Sequence, residues 1–179
     1  MKGNKNVWAD HYTRQAQKEH FPARSVYKLK EIQQKYRLIK SGDRVLDLGC
    51  SPGSWLLYAA QIVGAEGQVT GIDIEPVNVK LPPHAAVYRG DIFSLDDQLL
   101  EAIGEGYDGV LSDMAPSTTG NRIVDAAKSF ELSSAALSLA GKRLVPGGFF
   151  LCKIFQGPDF ETFRNLLKER FKQHKIFKP

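Results

Sequence analysis

The stretch Arg44-Val45-Leu46-Asp47-Leu48-Gly49-Cys50-Ser51-Pro52-Gly53-Ser54-Trp55 constrains this chain more than any other. It reads as a short apolar strand, a glycine-bearing turn and the start of a helix reaching about Val63. Gly49 and Gly53 let a ligand approach bare backbone, since neither carries a Cβ. The helix start turns unpaired N–H groups towards that ligand. Such a strand, turn and helix open a doubly wound nucleotide-binding fold.

Departures from pattern choose the nucleotide. A dinucleotide site needs G-x-G-x-x-G so that a pyrophosphate can rest on the helix end. In Gly49-Cys50-Ser51-Pro52-Gly53-Ser54, serines stand where the second and third glycines belong. Asp47 at the strand end would also repel a pyrophosphate. It suits instead a ligand carrying an ammonium and a sulfonium, and S-adenosylmethionine carries both. Asp73 ends a second strand, Gln68 to Ile74, where a carboxylate can bind two ribose hydroxyls. Gly90-Asp91-Ile92 follows a third strand and places an acid to accept from the adenine amino group. The competing reading is a structural α/β domain with coincidental loop acids.

The totals suit one domain with a true core: 179 residues, 42% hydrophobic. No run of 18 apolar residues is present to span a membrane, and Met1 to Asn6 lead into no secretory h-region. Cys50 and Cys152 stand far apart with no histidine cluster near them, so no metal site is expected and a reducing cytosol is. Charge is uneven. Residues 1–40 hold ten Lys/Arg against three Asp/Glu, residues 41–160 eight against fifteen, and residues 161–179 six against two. Basic ends flanking an acidic middle suggest a polyanion partner, or else ordinary lysine-rich helix surfaces.

Residues 7–20, with Trp8 and Tyr12, read as a short helix or ordered arm within a basic N-terminal extension, residues 1–40. The extension joins a cofactor-binding part, residues 41–179, in the same domain. Arg24 to Tyr36 reads as a helix with Val26, Leu29, Ile32 and Tyr36 on one face. Arg24, Lys28 and Tyr27 are candidate RNA contacts, the tyrosine by stacking on a base or else packing on the sheet. Farther along, helices are expected over 95–103, 125–143 and 158–170, and strands over 86–89, 107–113 and 149–155. Pro146-Gly147-Gly148 should close the long helix, and 171–177 should begin a sixth strand.

Two features stand at strand ends, where open α/β sheets keep their ligands. One is Ser112-Asp113-Met114-Ala115-Pro116; the other is Lys153 within Leu151-Cys152-Lys153-Ile154-Phe155. A lone lysine in an apolar strand needs a partner or a use, because burying its ammonium is costly. It is either paired with Asp113 for structural reasons or half of an acid–base pair. Asp113-Met114-Ala115-Pro116 lacks the aromatic that exocyclic-amine methylation typically uses, and neither cysteine has the setting for attack on cytosine C5. A hydroxyl acceptor remains. Lysine can take its proton if its pKa falls from about 10.4 towards neutrality, which desolvation and Lys28 favour and Asp113 opposes.

Asp47 to Trp55, Ser112 to Pro116, Lys153-Ile154-Phe155-Gln156-Gly157 and Arg24 to Leu29 together resemble the FtsJ/RrmJ ribosomal RNA ribose methyltransferases, in order and over nearly the whole chain. The resemblance implies a Rossmann-like α/β fold with a mostly parallel sheet and helices on both faces. It implies S-adenosylmethionine-dependent 2′-O-methylation of a uridine in 23S rRNA, within 50S particles, by a cytoplasmic monomer. Of the family's Lys-Asp-Lys-Glu tetrad, three members fall on Lys28, Asp113 and Lys153. Its cofactor contacts fall on Gly53, Trp55, Asp73, Asp91 and Asp113. With Asp47, Gly49, Ser51, Pro52, Ile74 and Ile92 these make up the expected cofactor set. The glutamate and its antiparallel edge strand are expected beyond Pro179. Methylation of tRNA or an mRNA cap, and a non-catalytic assembly role, are the alternatives.

Overall fold

The computed structural model describes residues 4–178, with side chains from residue 11 onward, so Trp8's ring and Pro179 lie outside the described residues. Five strands form one sheet: β1 (Arg44–Leu48), β2 (Gln68–Asp73), β3 (Ala85–Arg89), β4 (Tyr107–Ser112) and β5 (Leu144–Cys152). Their order is β3-β2-β1-β4-β5 and every pairing is parallel. The expected α/β architecture is therefore present, and the described sheet is wholly parallel.

Alternation along β1 sets the two layers. Val45 faces an apolar cluster with Leu56, Ala59 and Val63 of α3 (Ser54–Val63) and Leu29 of α2 (Val26–Tyr36). Leu46 and Leu48 face the other cluster, with Ala136, Leu139 and Ala140 of α5 (Arg122–Arg143) and Ile103 of α4 (Asp97–Ile103). A sheet covered on both faces explains why β1 and β4 are apolar runs. Each fully buried Val or Leu contributes about 1.5–3 kcal/mol.

The N-terminal extension forms α1 (Asn4–Lys18) and α2. Ala16, Phe21 and Val26 pack with Tyr27 and with Leu57 and Tyr58 of α3. Lys30 lies over the Phe21 ring, 4.6 Å from its centroid, and pairs with Glu19. The extension is thus fastened to the sheet layer through α3.

Two expectations are corrected. Pro146-Gly147-Gly148 does not stand between helix and strand. α5 ends at Arg143, β5 begins at Leu144, and the three residues bulge within it, where pairing jumps from Tyr107↔Leu144 to Gly109↔Phe149. Pro146 has no N–H to give a ladder and Gly147 takes φ +87°, so an edge strand absorbs them as an irregularity. Residues 171–177 form no sixth strand. Phe171 stacks on Phe150 and Phe177 meets Tyr36 edge-on, so rings at its two ends hold the segment and its backbone joins no ladder. Before it, α6 (Phe160–Arg170) packs on α5, with Phe163 buried against Phe130.

Candidate active site

The site lies at the carboxyl edge of the sheet, where β1 and β4 are neighbours and the strand order reverses. After β1 the chain turns through Gly49, at φ +75°, and Gly53, at φ +112°. A Cβ on Gly49 would stand 2.3 Å from Met114 Cγ, and one on Gly53 2.9 Å from a Val79 methyl. Both positions therefore need glycine for backbone conformation and for space. Pro52 is exposed at the tip of the turn.

Asp73 organises this turn. One carboxylate oxygen accepts the Ser51 N–H at 2.8 Å and the other accepts the Glu75 N–H at 2.8 Å. Each oxygen keeps a lone pair free for a ligand hydroxyl. Asp91 is exposed past β3, accepting the Phe93 N–H at 3.0 Å. Beside these acids Ile92 is half-buried, whereas Ile74 is 56% exposed and Phe93 58%. Phe93 escaped the sequence reading; its signal was an apolar ring two residues after a strand-end acid.

Asp47 is fully buried, and among the described residues no donor reaches either of its oxygens. Burial pushes its pKa up to about 8, helped by the charges of Asp113 and Asp73. Burial likewise pushes the Cys50 thiol up, with Asp47 and Asp73 adding to it. Both cysteines are free. Among the described residues no group of three or more His, Cys, Asp or Glu stands ready for a metal ion.

Across the strand junction stand the lysines. Asp113 lies 2.9 Å from Lys153 Nζ and 3.7 Å from Lys28 Nζ. The Lys153 ammonium also donates to the Asp113 main-chain carbonyl. Side-chain exposure rises from 15% at Asp113 to 25% at Lys153 and 42% at Lys28, so the cluster opens outward through Lys28. Lys153 sits one residue past β5 rather than inside the strand as expected. Its N–H to the Ser112 carbonyl, 2.8 Å, carries the β4–β5 pattern one step farther.

Less obvious residues hold this cluster. The Ser129 hydroxyl accepts the Phe155 N–H at 2.9 Å. The Ser133 hydroxyl lies 2.8 Å from the Ser129 carbonyl and 3.1 Å from the Lys153 carbonyl, sharing its proton between them. One turn of α5 thus grips both sides of the Lys153 backbone. The signal was there: two serines four apart on the apolar face of a long helix. Asp125 accepts the Thr119 N–H and hydroxyl, each at 2.8 Å, which pins the loop leaving Asp113. The Thr119 N–H is the main cause holding its carboxyl below the usual range.

The same economy joins Lys28 to the glycine turn. The Ser54 hydroxyl accepts the Ala23 N–H and donates to the Ala23 carbonyl, while the Trp55 indole donates to the Ser25 carbonyl at 2.9 Å. The start of α3 therefore fixes the approach to α2. Arg24 is exposed there. Tyr27 is half-buried, its ring 5.2 Å from Tyr12 and its hydroxyl buried; burial pushes that phenol up to about 12.

A cleft of about 1570 Å³ leads from Lys28, Asp113 and Lys153 along β5 to the C-terminal segment. Eight Lys/Arg and two acids line it. Gly49, Asp73 and Asp91 lie outside its lining, whereas Asp113 and Trp55 belong to it. An orphan buried carboxyl, with the Asp73 carboxylate near it, suits a cationic nucleoside such as S-adenosylmethionine.

Similarities to known proteins agree. The sequence profile of the FtsJ-like methyltransferases matches residues 21–179. The chain is 56% identical over 178 residues to the ribosomal RNA large subunit methyltransferase E of Desulforapulum autotrophicum, covering 99% of this chain and 88% of that one. It is 53% identical to the protein of the same name from Desulfatibacillum aliphaticivorans, covering 99% and 86%. A crystal structure from Plasmodium falciparum, described as a ribosomal RNA methyltransferase, superposes with a TM-score of 0.77 at 27% identity, over 88% of this chain and 91% of that one. With the glycine turn and the strand-end acids already in place, these matches close the question: the chain belongs to the FtsJ-like methyltransferase family.

Proposed function

We propose that the protein methylates the 2′-hydroxyl of a uridine ribose in large-subunit (23S) rRNA, with Lys153 as the general base. The observation that carries this reading is Asp113, held between two lysines at the head of the basic cleft. S-adenosylmethionine supplies an electrophilic methyl group when bound. Asp47, Gly49, Ser51, Pro52, Gly53 and Trp55 would hold its methionine end, Asp73 its ribose, and Asp91 with Ile74 and Ile92 its adenine. Asp113 would serve both partners, touching cofactor and orienting Lys153.

Lys153 Nζ, as the free amine, takes the proton of the 2′-hydroxyl and becomes an ammonium as the ribose oxygen is methylated. Asp113 fixes where that nitrogen stands, and the Ser129–Ser133 turn fixes the backbone beneath it. Lys28, the most exposed of the three, holds the acceptor nucleotide. Much of the acceleration comes from keeping hydroxyl and methyl group in register. The basic cleft takes the RNA backbone, with Arg24 and Lys28 at its head. Tyr27, its ring shared with Tyr12 and Lys30, acts by bracing the helix that carries Lys28.

The relatives' name supports a large-subunit rRNA, and an assembled 50S particle in the cytoplasm is the proposed setting. Lys28, Asp113 and Lys153 come from one chain, which suits a monomer. No helix among the described residues is long and apolar enough to cross a membrane. The test offers methyl-labelled S-adenosylmethionine with 50S particles, 30S particles and bulk tRNA in parallel. Label is expected in the 23S rRNA of the 50S sample. Label in tRNA alone overturns the substrate, and cofactor binding with no label anywhere favours a non-catalytic assembly role.

A further inference from the structure

Asp47 is the most anomalous side chain in the fold. Buried polar groups are nearly always paired, and a buried charge without a partner is costlier still, yet both Asp47 oxygens lack a donor. β1 sets the residue beside Gly71 of β2 and Leu111 of β4, neither of which offers a polar side chain. On its face lie Trp55 and Leu56 of α3 within the apolar cluster. The titratable groups around it are Asp73 from β2, Asp113 just past β4 and the Cys50 thiol of the turn. The two lysines nearest this end of the sheet, Lys28 of α2 and Lys153 beyond β5, pair with Asp113. Every influence resolved on Asp47 favours its neutral form: burial first, then Asp113, then Asp73.

We propose that Asp47 holds a proton in the ligand-free enzyme and releases it to solvent when the ammonium end of the methyl donor arrives, so that cofactor binding exchanges one cation for another. The inference rests on the cofactor site described above and adds a property to it. The balance is simple: carboxylic acid plus ammonium ligand becomes a carboxylate–ammonium pair plus one aqueous proton, with no covalent change. An uncharged buried acid keeps the empty pocket tolerable, and the carboxylate appears only once a partner is there to pair with it.

Two consequences distinguish this exchange from ordinary charge attraction. Affinity rises about tenfold per pH unit while Asp47 is protonated in the free enzyme, and levels off towards pH ~8. The pocket also filters by charge at the amino-acid end. S-adenosylhomocysteine keeps the ammonium and displaces the proton, whereas 5′-methylthioadenosine lacks it and does not.

Isothermal titration at about pH 6.5, where the ligand's own amino group is still an ammonium, reads the exchange directly when repeated in buffers of different ionisation enthalpy. The wild-type protein should release close to one proton with S-adenosylmethionine and with S-adenosylhomocysteine, and none with 5′-methylthioadenosine. Asp47→Asn, an isostere of the neutral acid, should melt cooperatively, bind without proton release and show a flat pH profile. Wild-type binding with no release, or equal release with 5′-methylthioadenosine, overturns the exchange while leaving the methyltransferase intact. Full release by folded Asp47→Asn assigns the proton elsewhere and overturns it too. Should Asp47→Asn fail to fold, the comparison of wild-type ligands decides alone. No cofactor binding at any pH overturns the function itself, and the exchange with it.

Discussion

Lys153→Ala is expected to slow single-turnover methylation of 50S particles by about 10²- to 10⁴-fold, the range for loss of a positioned base. A thousandfold loss corresponds to about 4 kcal/mol of transition-state stabilisation. Cofactor binding should survive, because the acids proposed to hold the cofactor are untouched and Lys28 still neutralises Asp113. Lys153→Arg separates proton transfer from charge. Arginine restores a cation beside Asp113 but stays protonated at any accessible pH, so it cannot act as a base. Its rate should therefore fall nearly as far as that of the alanine variant. A rate close to wild type in Lys153→Arg would reduce Lys153 to a fixed positive charge and remove the base from the mechanism.

Asp73→Ala is expected to weaken S-adenosylmethionine binding by about 100-fold or more, read by titration calorimetry. Asp73 does two things at once. It bonds the Ser51 and Glu75 N–H groups, and so sets the shape of the turn between β1 and α3. Its remaining lone pairs face the place proposed for the ribose. A hydrogen bond to a charged group contributes about 1.5–3 kcal/mol, and each 1.4 kcal/mol is about tenfold in affinity. Two such bonds would exceed 100-fold, but Asp73 is partly exposed and water replaces some of what is lost. Asp73→Asn keeps one acceptor oxygen without the charge and should fall between the two. An Asp73→Ala protein that binds as tightly as wild type would remove Asp73 from the cofactor site.

How far the sequence carried these conclusions depends on the kind of interaction. Central strands read well because a sheet buried on both faces demands largely apolar strands, and Val45, Leu46, Leu48, Val110 and Leu111 supply them. The places of the acids could be read too, since Asp47 stands one residue before the end of β1, Asp73 ends β2 and Asp113 follows β4 directly. The edge read poorly. Pro146-Gly147-Gly148 resembles a helix stop, but an edge strand can bulge around a missing N–H where a central one cannot. Residues 171–177 have aromatic ends that a strand could bury, yet a strand exists only when its backbone finds a ladder, and here the Phe171 and Phe177 rings decide the path. The serines behind Lys153 were hidden for another reason. Their partners lie 20 and 26 residues away, at contacts that exist only once α5 has packed on the sheet. Asp47 was expected to face a cation, but its isolation from every donor among the described residues needed the fold around it.

The chemical position of the transferred methyl group tests the central claim most directly. A ribose 2′-O-methyl group blocks alkaline cleavage at its own linkage, because that cleavage needs the free 2′-hydroxyl as nucleophile. Alkaline digestion of 23S rRNA labelled by the purified protein should therefore leave the label in an alkali-stable dinucleotide beginning with a methylated uridine. Label released in an ordinary mononucleotide would place the methyl on a base, and hydroxyl activation by Lys153 would be contradicted.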